Sequence, residues 1–161
     1  MKINLIAPIP PDLCSFGVRI LSSVLKGAGH EVKIIFLPVS HKSIAQPEWI
    51  FLYPENILDE IVNLSRDADL IGVSLMTNYF ESAVQITQRI KKDMRTPVIW
   101  GGIHPTVRPE ESLQYADMVC LGEGEEAILE LAQKMEEGKE FYNIKSLWVK
   151  NNGTIIKNEL R

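Results

Sequence analysis

Apolar positions along this chain alternate between short unbroken runs and a helical spacing, and that alternation predicts most of the fold. Residues 2–7 form an apolar strand that ends in Pro8-Ile9-Pro10-Pro11-Asp12, where clustered prolines can continue neither a central strand nor a helix interior. Helical spacing then runs over 16–28, with Val18, Leu21, Val24 and Leu25 on one face and Gly27 and Gly29 as terminators. A second strand covers 31–37. Residues 38–54 are irregular, and Trp49, Phe51 and Tyr53 recur there at period two, as packing beneath a long connection or as an aromatic lid. A helix over 55–66 turns Ile57, Ile61, Val62 and Leu64 inward.

Residues 69–75 read as a third strand, nearly all apolar like a parallel strand buried on both faces. A helix over 81–94 buries Ala83, Val84, Ile86 and Ile90, with Lys91 and Lys92 at its carboxyl end, where cations suit the dipole. A fourth strand at 98–100 empties into Gly101-Gly102-Ile103-His104-Pro105-Thr106. A short helix follows at 109–115, then a fifth strand at 117–121. Gly122-Glu123-Gly124-Glu125-Glu126 opens a helix to about residue 137, with Ile128, Leu129, Leu131 and Ala132 along one side. The runs 147–150 and 154–157 flank Asn151-Asn152-Gly153, a strong hairpin signal.

Strands alternating with helices predict an α/β fold: a doubly wound, five-stranded parallel sheet in the order 2-1-3-4-5, covered on both faces. The hairpin is an appendage on that sheet or the start of a linker, so the expected division is residues 1–140 and 141–161. Ligands of such sheets bind beyond the carboxyl ends of the strands, where strand order reverses. Four loops meet there: 8–17, 74–79, 101–107 and 122–125.

Composition narrows the ligand. The chain has 161 residues and a net charge of −4, a weak acidic balance that argues against nucleic acid as the main partner. Cys14 and Cys120 are too far apart in sequence to frame a zinc knuckle, and they predict a reducing, cytoplasmic setting. No stretch reaches the ~18 apolar residues of a membrane span. The loop after the first strand lacks Gly-x-Gly-x-x-Gly and Gly-Lys-Ser/Thr, which excludes the common dinucleotide and P-loop phosphate sites. The acids of a phospho-acceptor domain and the Ser/Thr-rich loop of a flavodoxin-type site are missing as well. What remains is a glycine-rich cleft for a large ligand held by shape and backbone. Free N–H groups at the start of the last helix suit an amide or phosphate oxygen; Glu123, Glu125 and Glu126 favour ligand amides or hydroxyls, or simply complement the helix dipole. His104 reads as a loop-bracing residue or a contact to the ligand's edge, Ser74 as a strand-end cap or a ligand hydrogen bond, and His30 and His41 as solvent or connector residues.

With those residues in view, the chain resembles the cobalamin-binding domains of methionine synthase and methylmalonyl-CoA mutase. Their Asp-x-His-x-x-Gly, Ser-x-Leu and Gly-Gly motifs correspond to Asp12-Leu13-Cys14-Ser15-Phe16-Gly17, Ser74-Leu75-Met76 and Gly101-Gly102, with Met76 where the family's leucine would be. Cys14 stands where those proteins carry the histidine beneath cobalt. The resemblance is therefore closer to the N-terminal cobalamin-binding, Rossmann-like domains of cobalamin-dependent radical SAM enzymes, such as the anaerobic magnesium-protoporphyrin monomethyl ester cyclase and several methylases. These share Gly-Gly-x-His-Pro-Thr, here residues 101–106, and Gly-Glu-Gly-Glu, here 122–125. The resemblance implies a cobalamin site made of Asp12, Cys14, Gly17, Ser74, Leu75, Met76, Gly101, Gly102, His104, Gly122, Glu123 and Gly124. It implies a base-off cobalt with no protein metal ligand and no catalytic residue in this chain. S-adenosylmethionine and a [4Fe–4S] cluster would belong to a radical SAM domain of the same parent chain, because Cys14 and Cys120 cannot supply Cys-x-x-x-Cys-x-x-Cys. The catalytic barrel would be expected to begin just past the hairpin, so the chain reads as a domain of a longer enzyme or, alternatively, as a stand-alone corrinoid carrier. Two alternatives stay open: a non-catalytic interaction domain whose glycines serve only tight turns, and the nucleotide-binding half of a transferase.

Overall fold

The computed structural model describes residues 1–8, 15–37 and 52–161. Asp12, Cys14, His41, Trp49 and Phe51 lie outside those residues. Strands β1 (Lys2–Ala7), β2 (Glu31–Phe36), β3 (Leu70–Ser74), β4 (Val98–Gly101) and β5 (Met118–Cys120) alternate with helices α1 (Phe16–Gly27), α2 (Glu55–Ser65), α3 (Phe80–Asp93), α4 (Ile103–Val107) and α5 (Pro109–Ser112). Helix α6 (Glu125–Glu136) and strands β6 (Leu147–Asn151) and β7 (Thr154–Lys157) follow. The sheet order is β2-β1-β3-β4-β5-β6-β7. The first five strands are parallel, in the expected 2-1-3-4-5 order. The hairpin does not hang free: β6 pairs antiparallel to β5 and extends the sheet to seven strands.

The period of two sorts the strand residues onto two faces. Ile6, Val73, Trp100 and Val119 align across the strands and pack with Leu58, Ile61, Ala83, Ile86 and Ile90 from α2 and α3. Trp100 is the largest side chain fully buried there. Its indole N–H donates to Thr87 Oγ1 at 2.9 Å, and its ring stacks on Tyr115 with centroids 6.0 Å apart, so the polar tip is satisfied inside the core. The opposite face carries the row Leu5–Gly72–Ile99–Met118, packed against Leu25 of α1 and Ala127, Ile128 and Leu131 of α6. Gly72 has no side chain to contribute, and a Cβ there would meet Leu5 Cδ2 at 2.9 Å. The Leu5 side chain thus occupies the space over Gly72, on the α1–α6 side of the sheet.

Some expected placements change. The inward face of α2 is Leu58, Ile61, Val62 and Ser65, spaced i, i+3, i+4, i+7, which turns Leu64 outward to 37% exposure. On α6 the same phase buries Ala127 and leaves Leu129 half-buried. His30 is buried rather than solvent-facing, with its Nδ1 3.4 Å from the amino group of Met1 and 3.7 Å from Glu136. The stretch after Gly102 closes into the one-turn helix α4; Pro105 fits because the first turn of a helix needs no amide donor. Tyr53 is buried, and Gln85 holds it by a reciprocal pair of 2.8 Å hydrogen bonds to its backbone N–H and C=O.

Candidate functional site

A cleft of about 140 Å³ opens at the carboxyl ends of β1, β3, β4 and β5, between the sheet and helices α1 and α6. Leu5, Gly72 and Ile99 form its floor, and Val18, Leu21 and Ile128 its helical walls. Gly101, Gly102, Gly122 and Gly124 edge it, with Ser74 and Cys120 between them. Sites for whole drug-sized ligands run to roughly 300 Å³ and more, so this interior has room for about one ring system.

The glycines fall into two kinds. At Gly101 an added Cβ would meet only Cys120 Cβ at 3.9 Å, at Gly124 it would meet Leu21 Cδ2 at 3.4 Å, and at Gly17 it would meet nothing within 4 Å. Protein packing does not require glycine at these positions; a side chain would instead fill the cleft or its mouth. Gly102 is different. Its φ is +100°, and a Cβ would lie 2.8 Å from the Leu75 carbonyl oxygen and 3.4 Å from Ser74 Oγ. Here the backbone itself demands glycine, so that the loop after β4 can lie against the end of β3. Leu75 N–H donates to Gly101 C=O at 3.0 Å, and His104 N–H donates to Leu75 C=O at 3.3 Å across that close approach.

Of the expected site residues, the cleft brings together Gly17, Ser74, Gly101, Gly102, Gly122, Glu123 and Gly124. It does not include Leu75, which is buried in the core on the α2–α3 side. Met76 projects to solvent at 46% exposure. His104 turns away from the cleft and is buried, with its ring 4.7 Å from that of Phe80. Its Nδ1 lies 3.4 Å from Thr77 Oγ1, while Nε2 makes no hydrogen bond and faces Glu111 at 3.5 Å. Asp12 and Cys14 lie outside the described residues. Glu123 and Glu125 reach the cleft, whereas Glu126 is paired with Arg161 at 2.9 Å.

Burial pushes the His104 imidazolium pKa below the ordinary histidine value of 6.5, against a smaller opposing pull from Glu111. The folded chain therefore takes up this proton at lower pH than the unfolded chain. That contribution is intact above the unfolded value and is lost as pH falls through the folded one. Urea unfolding at about pH 7.5 and about pH 5.5 should show a larger loss of stability for the wild type than for His104→Gln, which does not titrate. Equal losses would mean that His104 is protonated without penalty. The pKa of the Cys120 thiol, which lines the cleft, is pushed up to about 12 by burial, so the thiol stays protonated at neutral pH. Among the described residues, no cluster of three or more His, Cys, Asp or Glu side chains is placed to hold a metal ion.

Gly72, Cys120 and the apolar walls Val18, Leu21 and Ile128 also line the cleft, and the sequence does not single them out as candidate site residues. A glycine inside an otherwise apolar strand was the available signal for Gly72. Four large apolar residues also stand exposed around the same edge of the sheet: Phe16 at 63%, Met76 at 46%, Ile103 at 60% and Val107 at 61%. They open α1, follow β3, and lie on α4 after β4, so the rim above the cleft is apolar as well.

The B12-binding domain model matches residues 4–132. A UPF0313 protein of Methanosarcina mazei is 28% identical over 180 aligned positions, covering 93% of this chain and 28% of its own length. The chain thus spans well under half of that relative. Among solved structures, the radical S-adenosylmethionine methyltransferase TsrM of Kitasatospora setae, with cobalamin and a [4Fe–4S] cluster bound, superposes with a TM-score of 0.77 at 20% identity. The match covers 99% of this chain and 29% of that one. The cobalamin-dependent S-adenosylmethionine radical enzyme OxsB, with aqua-cobalamin and S-adenosylmethionine bound, gives a TM-score of 0.73 at 20% identity over 99% of this chain and 22% of its own. At these identities the likeness to solved structures is one of fold.

Proposed function

This chain belongs to the B12-binding domain family, and from that premise we propose that it holds cobalamin base-off, for use by a radical SAM domain of the same polypeptide. The observation that carries the reading is the set of bare glycine faces at Gly17, Gly101 and Gly124, which packing leaves free and a side chain would fill. A flat ring system of the nucleotide tail fits between the floor at Gly72 and the walls at Val18, Leu21 and Ile128. Ser74 offers a hydroxyl at the strand end, and Glu123 and Glu125 offer acceptors to amides or hydroxyls of the ligand. The exposed rim of Phe16, Met76, Ile103 and Val107 suits the face of a macrocycle too large for the cleft.

When bound, cobalamin supplies a cobalt centre for methyl carriage or electron transfer. The chain's own part is to bind and orient: the cleft excludes water from the tail, and the glycine edges let backbone approach it closely. The base-off assignment rests on Cys14 standing where related domains carry histidine, and the partner assignment rests on the enzymes to which the chain is similar. The partner assignment is tested in the natural reading frame: a Cys-x-x-x-Cys-x-x-Cys segment in the same polypeptide is expected, and a frame without one would refute it. A cytoplasmic setting is the matching expectation for localisation.

The visible spectrum of hydroxocobalamin tests the ligation state. The expected result is a base-off spectrum with the wild type and a shift toward nitrogen ligation with Cys14→His. Identical spectra from the two proteins would mean that residue 14 does not lie beneath cobalt.

A further inference from the structure

The ladder between β4 and β5 is short. Its register pairs are Ile99 with Met118 and Trp100 with Val119, so the loops that leave these strands diverge without strand pairing to join them. Leu121, the last residue before the loop after β5, turns its amide the other way, to Ser146 C=O at 2.9 Å. The hydroxyl of Thr106 spans the gap. It donates to the Gly102 carbonyl at 2.8 Å and accepts the Gly122 amide at 3.0 Å. Gly102 and Gly122 are both edges of the cleft, one on each loop.

Gly122 has little else to hold it. It is exposed, its φ is +72°, and nothing lies within 4 Å of where its Cβ would be. Side-chain packing therefore cannot fix its position. The bond also takes up the Gly122 N–H, so this amide points across to the neighbouring loop rather than into the cleft. The other side of the same motif is anchored separately, by the His104 amide on Leu75 and the His104 ring against Phe80.

Building on the cobalamin-binding reading, we propose that Thr106 is a positioning residue for the cofactor. Its hydroxyl clamps the loop after β4 to the loop after β5 and so sets the spacing of the two glycine edges between which the ligand lies. The clamp sits at the solvent edge. When it is cut, water satisfies Gly122, and the loss appears in ligand binding more than in folding.

Thr106→Val keeps the shape and removes the hydroxyl; Thr106→Ser keeps the hydroxyl. Visible titration with hydroxocobalamin should show affinity about tenfold weaker for Thr106→Val and within about threefold of wild type for Thr106→Ser, consistent with one lost hydrogen bond. Exchange of the Gly122 amide, followed by NMR without ligand, should be slow in the wild type and Thr106→Ser and fast in Thr106→Val. Wild-type affinity in Thr106→Val would overturn the proposal. So would equal losses in both variants, which would assign the effect to packing rather than to the hydroxyl. If Thr106→Val fails to fold, Thr106→Ala, which also lacks the hydroxyl, takes its place in the same comparison with Thr106→Ser. If wild-type protein binds no corrinoid, the functional reading fails; the clamp itself is still decided by Gly122 exchange, where fast exchange in the wild type refutes it.

Discussion

Gly101→Val is expected to weaken hydroxocobalamin binding about 100-fold, a loss of about 2.7 kcal/mol, while the urea midpoint of the apoprotein stays close to wild type. The separation of the two effects follows from where the new atoms go. Gly101 closes β4 opposite Ser74, and its Cβ would sit 3.9 Å from Cys120 Cβ, an ordinary contact. A β-branched residue suits the extended backbone there. The added Cβ displaces no protein atom, and Gly101 lines a cleft of only about 140 Å³, so the bulk of valine is expected to occupy it. Binding is lost because the space is taken. Visible titration and urea unfolding on the same preparation check both halves. Unchanged affinity would mean that the ligand does not enter between β3, β4 and β5. A collapsed urea midpoint would mean that Gly101 serves packing, as the interaction-domain alternative requires.

Gly102→Val should fail in the opposite way, by destabilising the fold. Its φ of +100° is a region that valine scarcely enters, and its Cβ would be driven to 2.8 Å from the Leu75 carbonyl. Relief requires the loop after β4 to move off β3, which breaks the bond from His104 N–H to Leu75 C=O. Strain of about 1–3 kcal/mol and a lost hydrogen bond of about 1 kcal/mol together predict a loss of about 3 kcal/mol. For a chain of this size that is a fall in melting temperature of about 10 °C. Calorimetry checks it, and a change below about 2 °C would show that the loop adapts without strain. Adjacent glycines in one motif are thus expected to fail in different ways, Gly101 by taking up the cleft and Gly102 by straining the backbone.

The order of the parallel strands was legible because each central strand is an apolar run and each connection a helix of clear period. The position of the site followed from that order and from the glycines after β4 and β5. What sequence leaves open is register and rotation. Gly72 becomes part of the floor only because register places it between Leu5 and Ile99. Leu58 replaces Leu64 inside because α2 is rotated by part of a turn, and a short amphipathic pattern tolerates that error. For His104 the sequence leaves a loop brace and a contact to the ligand's edge both open. The turn of α4 sends it to the other face, against Phe80, while Thr106, two residues on, reaches the cleft's edge. The hairpin was clear from Asn152-Gly153, but its docking on β5 depends on long-range pairing that no local pattern encodes.

Retention of cobalamin by the chain itself is the most direct measurement. Protein mixed with excess hydroxocobalamin and passed through a gel-filtration column should carry visible absorbance in its own peak, near one corrinoid per chain, with Gly101→Val eluting colourless beside it. A folded wild-type peak without colour would contradict a cobalamin-binding role for this cleft.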